Sequence, residues 1–505
     1  MTWPAALAAS CLRSALVMLV GVTVARWLVV WNRGTSSRSV RRVQLVLLMA
    51  VFLTPNLVVG FGYRAVSINL LNQRWLNELL YFGLIVFEFV PAAFWLLLSS
   101  PPPSLSAEAW HAARLAGGSS ALAASTTGLS SWRMRLRFWW RGRGETLVGP
   151  AALLFVLSFQ ESELAALMQV RGWPERLFTD HVKGVPAFTT FQLIVWPVLI
   201  QLPFVIPLLS RLGAATSTVA LSALAEKMLV SRPRPGVWWV LNAFAVMWVM
   251  AGLGFVIGEP MWHLVEGVRR TGRTIVLQPR WVREVWDAVL LAGTCVGVTW
   301  GTAWAFGRWM ASGDDVRRWR VGPSSGRLKA ELQRGVLATL IPGLMGTLAL
   351  GLLVAGFFQQ FVPQMAYTPV PLVLAECLWL WPRVILVRQS IAARTQVAAH
   401  QISLLSRSGD APQRARAGAL WWHVAGRPLA GGVLLVAWWC YLEVMLPTIL
   451  AMPGFEPAPK VMYNHLHFGQ LEALGVKLAM ILAAPLLLGF MLLAAMKFLS
   501  GRHAT

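Results

Sequence analysis

Apolar runs of about 20 residues recur from one end of this chain to the other. Each is long enough to cross the roughly 30 Å hydrocarbon core of a bilayer as a helix. Eleven candidate spans follow: 10–31, 43–61, 77–98, 147–168, 188–210, 237–258, 286–309, 335–360, 369–389, 429–450 and 470–498. Lipid offers no partner to exposed backbone N–H and C=O groups, so the runs are expected as helices. The expected fold is therefore all-α, a polytopic membrane helix bundle. The first span is the weakest, because it carries Arg26 and needs Arg13 to snorkel outward. Charged residues make up 13% of the 505, about half the roughly 25% of soluble domains.

A net charge of +23 with a pI near 11.4 raises the question of nucleic acid. The basic residues sit in short linkers between apolar runs, with no basic helix or aromatic-basic module, so no nucleic-acid partner is expected. Their distribution instead gives sidedness. The linkers 32–42, 99–146, 211–236, 310–334, 390–428 and 499–505 together hold 26 Lys and Arg, and the opposite set holds 11. The positive-inside rule then places the N-terminus outside and the C-terminus in the cytoplasm of a plasma (inner) membrane. Linker 259–285 is awkward, with five Arg on the outer side, and is expected as an amphipathic helix on the membrane surface. Cys11, Cys295, Cys377 and Cys440 are far apart in sequence, which argues against a disulfide framework or a thiolate metal site.

The chain is written twice. "VGVT" at Val20–Thr23 recurs at Val296–Thr299, and "VRR" at Val40–Arg42 recurs at Val316–Arg318, both at one offset. Pro55 and Leu57 match Pro342 and Leu344, and the intramembrane acid Glu88 matches Glu376. Further on, Trp139–Trp140 match Trp421–Trp422, Glu161 matches Glu443, and Gly172–Trp173 match Gly454–Phe455. Spans 1–5 thus correspond to spans 7–11 with the same orientation, a parallel repeat of the kind that builds transporters. Residues 1–236 form a first unit of about five spans that lacks its first helix. Residues 237–505 form a second unit of about six spans.

The linker 99–146 contains "SAEAWHAARLAGG", with Ser106 as N-cap and Gly117–Gly118 as a stop. His111-Ala112-Ala113 is followed by three residues, Gly117, nine residues, then Thr127, Gly128 and Leu129. That spacing resembles the coupling loop of permeases in binding-protein-dependent ABC importers: Glu-Ala-Ala, three residues, Gly, nine residues, Ile, one residue, Leu-Pro. The leading Glu, the Ile and the final Pro are replaced, and Glu108, one turn earlier, is placed to stand in for the acid. The second loop is poorer, with Ala398, Ala399 and Ser403 as its remnant. "FQESELAAL" at 159–167, "LEVMLPTILAMPGFEP" at 442–457 and "YNHLHFG" at 463–469 resemble the fused two-unit permeases of ferric iron, thiamine and phosphonate importers.

The resemblance implies a permease moving a small solute, ferric iron among the candidates, by alternating access. It implies a cytoplasmic ATPase, probable as a dimer in that family, and an extracytoplasmic solute-binding protein. The sequence contains no Gly-x-x-x-x-Gly-Lys-Ser/Thr, so ATP and Mg are expected on the partner ATPase, with no cofactor and no enzymatic activity on this chain.

Acids inside a membrane cost about 2.5–3.5 kcal/mol each on insertion scales, which makes Glu88, Glu376, Glu161 and Glu443 candidates for the path or gate. The backbone near Gly172 and Gly454 joins them. The bland alternative for each acid is a bond to a neighbouring helix. His465 and His467 beside Tyr463 are too sparse a set for a metal site. Two other classes compete. An ion-coupled secondary carrier would show broken helices and buried ionisable groups at the midplane. A polytopic glycosyltransferase-like enzyme would need a convergent acidic site on one outer loop.

Overall fold

The computed structural model describes residues 2–35, 37–70, 72–99, 144–184, 187–214, 235–271, 279–312, 341–394, 410–450, 452–468 and 474–502. Among these, every regular element is a helix. α1 (Trp3–Gly34) has a proline in its first turn, where the missing N–H is harmless. It is followed by α2 (Arg38–Phe52), α3 (Asn56–Asn69) and α4 (Arg74–Ser99). Next come α5 (Glu145–Gln160), α6 (Glu163–Leu167), α7 (Trp173–Val182) and α8 (Ala187–Ala214). α9 (Pro235–Gly252) continues through a π-helical turn, Leu253–Gly258, into α10 (Glu259–Thr271). The remainder is α11 (Pro279–Ser312), α12 (Thr347–Phe361), α13 (Val370–Arg394), α14 (Ala411–Trp421), α15 (Arg427–Tyr441), α16 (Met445–Leu450), α17 (Ala458–Phe468) and α18 (Leu474–Arg502).

Seven of these helices are long and apolar enough to cross a membrane, or eight if α2 and α3 count as one bent span. The protein is an all-α, multi-pass membrane protein. Four expected spans are not continuous helices. Span 43–61 breaks at 53–55 with a 66° bend, span 147–168 at 161–162, span 335–360 at 345–346, and span 429–450 at 442–444. Residues 335–340 of the third lie outside the described residues.

Each break has a local cause. Pro55 cannot donate a backbone hydrogen bond and pushes Thr54 out of the helical region, so α2 stops and α3 restarts behind it. Gly346 sits at φ +76°, where a side chain would be strained, and α12 starts immediately after it. The breaks at 161–162 and 442–444 contain neither proline nor glycine. There a glutamate side chain takes the first free N–H groups of the next short helix, as described below.

The segment expected to lie on the membrane surface does not form a separate helix. Residues 236–270 form one continuous helical rod, and its α10 portion inserts between α3 and α18. Gly267 and Gly475 let two backbones meet there, since a Cβ on Gly475 would stand 3.0 Å from Gly267 main-chain atoms. Arg13 likewise does not snorkel. It pairs with Glu78 of α4 at 2.9 Å and donates to the Arg171 carbonyl at 3.1 Å.

One core gathers α1, α2, α4, α5 and α9 around Leu28, Ile85 and Leu154. Another gathers α11, α12, α13, α15 and α18 around Cys295, Leu380 and Leu478. A third joins them, packing Phe159, Trp173 and Ile194 against Leu348, Leu352 and Met445. The second core is also tied by charge: Lys477 of α18 meets Glu284 of α11 at 2.5 Å, with the side chains only 3% and 4% exposed. Arg280 pairs with Glu456 at 2.6 Å, tying down the 452–457 loop. The Arg280 guanidinium holds the Glu456 carboxyl below its ordinary range, so this tie is present at neutral pH and is lost as pH falls through that lowered value.

Removing one partner of a buried pair strands the other charge, at a cost of about 3–5 kcal/mol. Lys477→Met is therefore expected to lower the unfolding midpoint in detergent sharply. Adding Glu284→Gln to it should restore most of the loss, as read by thermal unfolding of the purified chain.

Candidate functional site: an acid-lined cavity at the helix breaks

The helix breaks open onto a cavity of about 810 Å³. Its walls come from α2, α4, α5, α8, α13 and α15. Glu88, Glu161, Glu163 and Glu443 gather at one end, with Thr54, Asn56, Gln160, Ser162 and Thr347. From there the lining follows α4 from Glu88 to Leu96, α13 from Trp379 to Ile391, and α15 back from Leu442 to Pro428. In sequence, those far ends adjoin the linkers 100–143 and 395–409.

Glu161 and Glu443 occupy matching positions and do the same work. Glu161 accepts from the Leu164 and Ala165 N–H groups at 2.6 and 3.2 Å, and Tyr81 of α4 donates its hydroxyl to it at 2.5 Å. Glu443 accepts from the Met445 and Leu446 N–H groups at 3.0 and 3.4 Å. Each carboxylate caps the short helix beyond its break, α6 or α16, satisfying donors that lipid would leave bare.

The carbonyls freed at the breaks are taken by side chains from elsewhere. Trp438 Nε1 on α15 donates to Leu53 O at 3.1 Å. Gln201 Nε2 on α8 donates to Leu344 O at 2.5 Å, and Gln201 Oε1 accepts from Gln160 at 2.7 Å. Trp173 Nε1 donates to Phe159 O at 2.8 Å. The first two bonds join the N-terminal half of the chain to its C-terminal half across the cavity.

Glu88 on α4 is 6% exposed; with its amide nitrogen turned inward, Asn56 at the start of α3 donates to both carboxylate oxygens at 2.9 Å. Arg383 of α13 donates to the Trp379 carbonyl at 2.8 Å and lays its guanidinium 3.9 Å from that ring's centroid. The Oε1 atom of Glu163 is buried and has no hydrogen-bond partner.

The expected gate residues thus separate into two groups. Glu88, Glu161 and Glu443 line the cavity. Glu376 does not: it is 0% exposed inside the second core, where the Cys440 thiol donates to it at 3.7 Å and its Oε1 has no partner. Gly172 packs beside Ser10 and Arg13, and Gly454 supplies a φ of +82° in the loop before α17. Neither glycine lines the cavity. The coupling-loop residues Glu108, His111, Ala112, Ala113, Gly117, Leu129, Ala398, Ala399 and Ser403 lie outside the described residues.

Sequence reasoning missed Glu163, Arg383, Gln201, Trp438, Asn56 and Tyr81. Arg383 carried a usable signal, being a cation within an apolar run. Glu163 lay two residues from a chosen acid. The cysteines, far apart in sequence, also meet: the Cys295 thiol is within hydrogen-bonding reach of Cys377 and Cys440, and the Cys377 thiol donates to the Cys295 carbonyl at 3.7 Å. Among the described residues, no three His, Cys, Asp or Glu side chains are placed to hold a metal ion.

Fold and site together define a multi-pass membrane protein with a polar, acid-bearing cavity between helices broken at its level. No family model, curated protein or solved structure matches the chain.

Glu161→Ala and Glu443→Ala each uncap a helix within the bundle and should cost about 1–3 kcal/mol. The Gln variants, which keep an acceptor oxygen, should cost less. Gln201→Leu should cost a similar amount by stranding Leu344 O. Thermal unfolding of the three alanine and leucine variants against parent checks both statements.

Proposed function

We propose that the chain is the two-in-one permease subunit of an ABC-type importer, moving a small solute inward by alternating access driven by a separate ATPase. The observation that carries this reading is the order of the helices and their breaks. α1, α3, α4, α5, α6, α7 and α8 are followed, after α9–α10, by α11, α12, α13, α15, α16, α17 and α18 in the same roles. Each series has a glutamate-capped break leading into a short helix, and each ends in a long apolar one. The seven continuous helices, with the four broken segments at α2–α3, α5–α6, 341–344 with α12, and α15–α16, account for eleven spans. On this reading the repeat is parallel, and α9–α10 is the unpaired first helix of the second unit.

The cavity supports the inward direction. Its acidic end lies at the helix breaks, and its walls follow α4, α13 and α15 toward linkers that carry the excess of Lys and Arg. With those linkers in the cytoplasm, the cavity is an inward-facing vestibule closed on the outer side by the capped breaks. ATPase closure against the loops at 107–117 and 397–403 would rock the halves and open the breaks toward a docked binding protein. ATP and Mg belong to that ATPase, and the reading places this chain in a plasma (inner) membrane with its C-terminus in the cytoplasm.

A second reading is favoured by one observation. Broken helices with buried acids beside them are also what an ion-coupled secondary carrier uses at its midplane. The two part on partners. Purification from gentle detergent is expected to bring down a P-loop ATPase and a solute-binding protein. Recovery of neither, together with solute uptake that follows an ion gradient in vesicles of the purified chain, would establish the carrier instead. Given the complex, Gly117→Trp is expected to abolish substrate-stimulated ATP hydrolysis while leaving thermal unfolding of the bundle unchanged.

A further inference from the structure

We propose that the acidic end of the cavity receives an organic cation, a solute bearing an ammonium or guanidinium group, with Glu163 as the carboxylate that pairs with it. The assignment rests on the reading of the cavity as the solute path and names the solute's chemistry.

Four carboxylates line the cavity, and Arg383 is the one Lys or Arg among the described residues that lines it with them. The acids are not equivalent. Glu161 and Glu443 cap α6 and α16, and Asn56 donates to Glu88. Glu163 alone of the four keeps a buried oxygen without a donor. It is close enough to Glu443, Glu161 and Glu88 for all three to act on it electrostatically. Arg383 is committed elsewhere, bonded to the Trp379 carbonyl and stacked on its ring. An acceptor facing three other acids, with the nearby guanidinium turned to an indole, is a place that a bound cation would complete and a bound anion would aggravate.

The walls specify what sort of cation. A space of about 810 Å³ is within the range of roughly 300–1,000 Å³ that holds whole small molecules. Trp95, Trp438 and Trp439 add aromatic faces to the lining, and the Arg383–Trp379 stack is already one cation held against an indole in this cavity. With no three-donor metal set among the described residues, the chemistry favours a diffuse organic cation over a bare metal ion.

The test uses the full chain in nanodiscs and three probes of similar size: choline, its uncharged carbon isostere 3,3-dimethylbutan-1-ol, and the anion isethionate. Calorimetric titration is expected to show choline binding about tenfold or more tighter than the isostere, the loss expected for one charge-assisted hydrogen bond, with isethionate weakest. Glu163→Gln should remove that preference and leave binding of the isostere unchanged, which also reports that the variant is folded. Equal affinities for the three probes, tighter binding of isethionate, or a choline preference that survives Glu163→Gln would overturn the assignment.

A second arm separates it from the reading beneath it. A membrane-impermeant maleimide added to the cytoplasmic side of vesicles should label Leu435→Cys, on the cavity wall, above the parent background. Labelling without any choline preference sinks the cation assignment and leaves the path in place. Absence of labelling from both sides sinks the path, and the cation assignment falls with it.

Discussion

A helix that breaks inside a bilayer leaves amides and carbonyls that lipid cannot satisfy, and the architecture of this protein is organised around supplying them. Glutamates 161 and 443 take the free N–H groups of α6 and α16. Trp438, Gln201 and Trp173 take the freed carbonyls of Leu53, Leu344 and Phe159. Each unmet group would cost on the order of a few kcal/mol, so the breaks can exist only where these side chains converge. That convergence requires the two cores to be held in register, which the third core does by packing Phe159 and Trp173 on Leu348 and Met445.

The same constraint explains why the polar cavity lies where it does. Side chains recruited to satisfy a broken backbone are themselves polar, and bulky indoles and amides cannot fill the space as closely as interlocking leucines. Glu88 and Glu163, which cap nothing, are stabilised beside the breaks because Asn56, Gln160 and Ser162 already make that level of the bundle polar. Two of the carbonyl bonds, Trp438 to Leu53 and Gln201 to Leu344, link residues nearly 400 and 150 positions apart. Any motion that parts the two cores at the cavity must break these bonds and offer the carbonyls to water instead, so opening and hydration are physically coupled.

The bundle itself was legible in the sequence, because a run of about 20 apolar residues has few other uses. The acids were legible too: Glu88, Glu161 and Glu443 stood out for their cost in lipid, and all three line the cavity. Glu376 stood out equally and does not, because hydropathy cannot tell which face of α13 turns inward to Cys440. The breaks were hidden for a related reason. Pro55 and Gly346 are ordinary residues of membrane helices, where α8 carries Pro197, Pro203 and Pro207 without interruption. The breaks at 161–162 and 442–444 have no proline or glycine at all, and depend on carboxylate caps that form only when the chain has already turned. Arg13 shows the same limit: its partner Glu78 is 65 residues away.

The continuous rod 236–270 bears on how the halves can move. Its first part packs on α1, α2 and α4, and its last part lies against α3 and α18. It therefore belongs to both cores, although it interrupts neither. At Gly267 and Gly475 the contact is backbone on backbone, a surface that can slide or pivot because no side chain interlocks across it. At Gly62, by contrast, a Cβ would stand 2.7 Å from Pro260 Cα, so the α3 contact is tight and steric. A rod gripped firmly by one core and loosely by the other constrains their relative motion to rotation about the loose crossing, and this places the pivot at α10 and α18, away from the cavity that such a rotation would open.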